Sequence, residues 1–165
     1  MAAAVYNVES LLDNVKLAVN DVAGAWLSDA QYNSFIASQI VEDQGTRTFT
    51  KRATGWFVCD GYDGLPYALL FASDTTPFTG ESDVTYEVNA RGSIQISSGT
   101  TAVTSISVTA AVVDFAAVMY ELFIWLAAHR AMDITRSLGG DSYSVSGVRA
   151  ELMRAAEHWQ GIRSR

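Results

Sequence analysis

Two histidines and one cysteine are all that the chain offers for nucleophilic or soft-metal chemistry. A zinc site of the His-Glu-x-x-His type needs that spacing because it sets both imidazoles on one face of a helix, and neither His129 nor His158 lies in such a run. His129 continues an apolar helical stripe, so a hydrogen-bonded core histidine is expected there. His158, between Glu157 and Trp159, is expected on a helix surface or at an interface. Cys59 could act as a nucleophile only if folding brought a histidine to it, and in an apolar strand pattern it reads as a structural thiol. Asp60-Gly61-Tyr62-Asp63-Gly64 has the glycine and acid of a calcium loop but lacks the alternating ligands and the closing glutamate, so it reads as a turn. Neither Gly-rich phosphate motif occurs. Carboxylate pairs such as Asp13 with Asp21 exist, but no pattern sets them in a cleft. The expectation is a protein that is not an enzyme, with no catalytic, metal or cofactor site.

The elements that would carry these residues fall into three stretches. Over 1–44, Val8, Leu11, Leu12, Val15, Val19 and Val22 form one helical stripe. Gly24 stands where a left-handed helix C-cap belongs. Ser28 and Gln31 then have the spacing of a capping box, with Trp26 or Leu27 placed to staple onto Tyr32. Tyr32, Phe35, Ile36 and Ile40 continue the second helix of this pair. A polar break follows over 42–46. Over 45–113 the texture turns to threonine, valine, serine and aromatics, and strands are expected near 55–59, 67–71, 84–88, 93–97 and 103–108. Turns are expected at Gly61-Tyr62-Asp63-Gly64 with Pro66, and at Ala90-Arg91-Gly92.

Over 114–165, Asp114 is a good N-cap for a long helix ending at Gly139-Gly140. Its stripe is Phe115, Val118, Met119, Leu122, Phe123, Leu126 and His129, while Ile124 and Trp125 put bulk on another face. A helix apolar on more than one face is buried on more than one side. Trp125 is therefore expected against a neighbouring subunit or the β-rich stretch. Ser144 or Ser146 can cap a last helix bearing Val148, Leu152, Ala155, Ala156, Trp159 and Ile162. The fold class is α+β: one structural domain whose helical body, an N-terminal pair plus two C-terminal helices, carries an inserted antiparallel sheet or small sandwich.

At 165 residues the chain is long enough to bury about 70% of its unfolded surface. Its 49% hydrophobic content and mean hydropathy of +0.13 are high for a monomer, which suggests apolar surface covered by other subunits. A net charge of −7 argues against specific nucleic-acid binding, which needs a basic footprint. The single cysteine fits a reducing compartment, and the first residues have no secretory pattern. The apolar run 110–128 is broken by Asp114 and Glu121, so it reads as a buried helix rather than a membrane span.

Two segments carry a resemblance. Leu11-Leu12 followed by Val15-Lys16, a short break, and Trp26-Leu27-Ser28-Asp29-Ala30-Gln31-Tyr32 resembles the start of the head–tail connector (adaptor) proteins of tailed bacteriophages. A helix ending Leu126-Ala127-Ala128-His129-Arg130-Ala131-Met132-Asp133, a Ser/Tyr/Val loop, and Val148-Arg149-Ala150-Glu151-Leu152-Met153-Arg154-Ala155-Ala156-Glu157-His158-Trp159 is similar to their closing helices. In that family the helices form the body and a β-rich insertion varies. The resemblance implies a virion structural protein of the neck, assembled in the host cytoplasm. Copies of the chain would form a homo-oligomeric ring, a dodecamer, below the portal protein and above a stopper or other tail component. DNA would pass through its lumen without specific binding, an acidic lumen repelling phosphate. Trp125, Trp159, Arg163 and Arg165 are the interface candidates. Two other readings remain: another neck or tail protein (a stopper or terminator), or a ligand-binding β module using Trp56, Tyr62 and Tyr67.

Overall fold

A computed structural model describes residues 8–21, 24–62, 67–72, 77–78, 81, 83–89, 92–139 and 143–163, apart from the side chains of 8–10 and 163. The fold is α+β. Helices α1 (Val8–Ala18) and α2 (Asp29–Ser38) precede six strands, β1 (Ile40–Lys51), β2 (Phe57–Cys59), β3 (Tyr67–Phe71), β4 (Thr85–Val88), β5 (Ile94–Ser98) and β6 (Ser105–Asp114). Three helices close the chain, α3 (Phe115–His129), α4 (Ala131–Ser137) and α5 (Val145–Arg163). The chain divides into a helical unit, Leu12–Gln39 with Asp114–Arg165, and a sheet unit, Ile40–Val113 together with the start of α1 up to Leu11.

In the helical unit, Leu12, Val15 and Val19 are buried as their spacing requires, while Val22 and the Val8 side chain lie outside the described residues. The end of α1 corrects the expectation for Gly24. Asn20 takes the left-handed conformation at φ 59°, Asp21 N–H donates to Lys16 O at 2.8 Å, and Asn20 N–H donates to Leu17 O at 3.1 Å. This is a Schellman stop built on asparagine, whose short polar side chain tolerates that conformation. Gly24, at φ 68°, closes the next turn by donating from its amide to Asp21 O at 3.0 Å. The capping box of α2 is formed in full: Ser28 Oγ accepts from Gln31 N–H at 3.3 Å, and Gln31 Oε1 accepts from Ser28 N–H at 2.9 Å.

Asp114 caps α3 by accepting from Ala117 N–H at 2.9 Å. The single helix expected over 114–138 is instead two, parted at Arg130 (φ −124°, ψ 2°). No glycine or proline marks the break, so propensity gives no sign of it. Arg130 lays its guanidinium 5.8 Å from the Trp125 ring centroid and pairs with Asp133 at 3.3 Å, and these contacts accompany the change of direction. Nine residues of α3 are buried, with α5 packed along it and α2 against it. The apolar excess of α3 is thus absorbed to that extent inside one chain. Ser144 Oγ accepts from Gly147 N–H at 3.0 Å, which selects Ser144 as the cap of α5.

The sheet has the order β3-β6-β1-β2-β5-β4 and is antiparallel. Its first strand starts at Ile40, ahead of the expected boundary at 45, and the supposed polar break lies inside β1. Register shifts at Ile40/Glu42 and Glu42/Gly45 explain why no alternation is readable there, since a bulge resets the period of two. Phe49, Phe57, Phe71, Ile94, Ile106 and Val108 fill one face. Gly92 (φ 87°) makes the sheet's curl possible, because a Cβ there would come within 2.5 Å of Leu69 Cβ. That approach brings the β4–β5 turn onto edge strand β3. Asn89 and Gly92 close this turn, Ala90 and Arg91 lying outside the described residues. Strand β6 runs on to Asp114, so 110–113, read as part of an apolar helix, are strand. Ile40 pairs with Val113, which holds the entry and exit of the sheet unit side by side.

Candidate interaction surface

The residues with chemical potential are scattered. His129 is exposed, contrary to the core role expected of it. It is the last residue of α3, where the break at Arg130 ends the stripe, and its ring lies 4.8 Å from that of Trp125. His158 is exposed with its ring 5.7 Å from Trp159. Cys59 is buried in β2 among Phe49, Phe57 and Ile94. Asp60 and Gly61 form a turn, Gly61 at φ 85°, while Asp63, Gly64 and Pro66 lie outside the described residues. Asp13 is exposed, whereas Asp21 is buried and fully engaged by the α1–α2 loop. Among the described residues no group of three His, Cys, Asp or Glu side chains is placed to hold a metal, and no helix is long and apolar enough to cross a membrane.

One polar cluster was not foreseen. Arg47 donates from Nε to Ala110 O at 3.2 Å and from a second nitrogen to Asp43 O at 2.9 Å, and it pairs with Glu42. Tyr62 donates its hydroxyl to the same Glu42 and stands 5.9 Å beneath the Arg47 guanidinium. The Glu42 carboxyl is held below its usual range, first by the Tyr62 hydroxyl and then by Arg47, while the same bond raises Tyr62. The cluster satisfies carbonyls that the β1 bulges turn away from the ladder. Tyr62 also packs edge to face on Tyr67 at 5.2 Å, so two of the three aromatics of the β-module reading are joined to each other and to the core. Only the alternation of charge, Glu42 with Arg47, hinted at this pairing.

The interface candidates separate. Trp125 is half-buried and meets Phe35 of α2 edge-on at 6.2 Å, a contact that the helical stripe did not disclose. Trp159 is half-buried, its ring 5.5 Å from the buried Phe115. Both tryptophans therefore serve the helical unit with one side. Arg163 ends α5, and Arg165 lies outside the described residues. No spacing rule pointed to a groove of about 600 Å³ between α4 and α5. Phe123, Ile134 and Val148 form its floor, Leu138, Tyr143 and Leu152 line its sides, and Glu151 is the only carboxylate among the described residues of its wall. Leu138 and Tyr143 are 47% and 50% exposed, much for residues of this size.

No protein family, curated protein or solved structure that was compared with the chain matches it.

Proposed function

We propose that this protein is a head–tail connector (adaptor) of a tailed bacteriophage, a structural ring subunit set below the portal and continuing the DNA channel to the tail. The observation that carries the reading is the course of the chain. Apart from Leu11, the two segments that bear the resemblance, from opposite parts of the sequence, fall in one helical unit. The stretch 40–113 that separates the two parts of this unit is the sheet, with its entry and exit strands paired at Ile40 and Val113. That is the arrangement of a helical body with a tolerated insertion. The chemistry agrees in kind: the candidate nucleophile Cys59 is enclosed in the sheet, and both histidines lie exposed against tryptophan rings. An acidic protein with a net charge of −7 suits a wall past which DNA must slide, because it offers phosphate no sink of cations.

Electron microscopy of the particle that contains the chain tests the reading. A ring of this subunit between portal and tail is the expected result. Density for it at the tail tip or in the shell would overturn the proposal, and a position one layer lower would make it a stopper or terminator.

A further inference from the structure

Helix α4 carries two opposite faces with matching chemistry. At 100° per residue, Ile134 and Leu138 share one side, and Met132 and Arg136 share the other. Ile134 is 4% exposed and looks into the groove shared with α5, whereas Met132 is 55% exposed. Arg136 is exposed one turn beyond Met132 and makes no ion pair among the described residues. The groove offers an apolar floor of Phe123, Ile134 and Val148, with Leu152 on its side and Glu151 as its charge. Among the described residues Glu151 is held only by Arg154, three residues on, in an exposed pair that is easily exchanged.

We infer that a second copy of this chain fills the groove, with Met132 of one copy seated between α4 and α5 of the next and its Arg136 paired with Glu151. The inference rests on the ring reading and deepens it by naming the contact. An apolar knob followed by a cation meets an apolar hollow edged by a carboxylate, so charge and shape agree in one register. Knob and groove lie on opposite sides of the same short helix, so the contact is head-to-tail. Such a heterologous contact cannot close on itself as a pair and must propagate into a ring or a filament. Methionine suits the knob because its unbranched side chain adapts to an irregular hollow. One groove is smaller than the roughly 800 Å² per partner of a stable interface, so it forms the apolar centre and the surrounding helix surfaces form the rim.

The test measures self-association of the full-length protein by sedimentation velocity over a concentration series, with thermal melts of every variant to verify folding. Arg136→Glu and Glu151→Arg should each weaken association by at least about tenfold, and the double reversal should restore it to within about threefold. Met132→Glu should abolish it with an unchanged melt. If the wild type associates but none of these changes alters it, the subunit contact lies elsewhere; the groove assignment fails and the ring reading stands. If Glu151→Arg disrupts association while the Met132 and Arg136 variants do not, the groove receives a different segment and the pairing is overturned. If the wild type stays monomeric alone and on portal-bearing heads, the ring reading falls and this contact with it.

Discussion

Asp21 accepts hydrogen bonds from Ala25 N–H at 2.7 Å, Trp26 N–H at 3.1 Å, Leu27 N–H at 3.4 Å and the Tyr32 hydroxyl at 2.6 Å, all while 3% exposed. One carboxylate thus organises the loop between α1 and α2 and anchors the second helix to it. Burial, and then the bond to Asp21, push the Tyr32 hydroxyl far above its ordinary value, because ionised Tyr32 would face a second negative charge away from water. The folded chain therefore keeps a proton that the unfolded chain loses near pH 10. The stabilisation is complete below about pH 10 and is lost as pH rises beyond it. Tyr32→Phe should cost about 1–2 kcal/mol at neutral pH, since Asp21 loses a donor, and should flatten the alkaline fall in stability. Urea melts of both forms at pH 7, 9 and 10.5 check this, and an equally steep fall in the variant would show that another group governs the alkaline limb. Asp13 and Asp21 looked alike in sequence; what separates them is the loop amides, which only the fold brings together.

Each helix start that was legible in the sequence depends on a local, directional bond. Ser28→Ala should lower stability by about 1 kcal/mol through loss of the α2 cap, read as a shift in urea midpoint. An unchanged midpoint would mean that the capping box contributes nothing net. The α3–α4 break differs in having one distant partner, since Trp125, stacked with Arg130 at the break, is packed on Phe35 of α2. Trp125→Ala should cost about 2–3 kcal/mol, below the full value for a buried tryptophan because the ring is half-exposed. The cost should appear in the melt of the isolated subunit. A variant that melts normally yet fails to assemble would instead make Trp125 an interface residue first.

For the whole molecule, the sheet unit enters and leaves through neighbouring strands: Ile40 pairs with Val113, and Asp114 N–H donates to Gln39 O at 3.0 Å. Replacing 41–112 by a short glycine-serine linker should therefore leave a helical unit that melts cooperatively, followed by circular dichroism. Loss of cooperative melting would show that the sheet is needed to hold the helices. Charge is divided along the chain in the same spirit: 114–165 holds six acidic and six basic residues, while 1–113 holds twelve acidic and five basic, so the whole net charge belongs to the earlier part. The sequence by itself determined the α+β class, the β-rich middle, the caps at Ser28 and Asp114, and the inward residues of α1 and β6, and it narrowed the last cap to Ser144 or Ser146, because caps and periodicity act over four residues or fewer. Tertiary structure alone decided the bulged start of β1 and the groove between α4 and α5, while the stops at Asn20 and Arg130, and with the latter the exposure of His129, come with contacts within five residues that helix propensity did not mark. The bulged start of β1 is held by a partner distant in sequence, Ala110 for Arg47, and Trp125 beside the break meets Phe35 of α2; no local pattern encodes which distant residue will arrive.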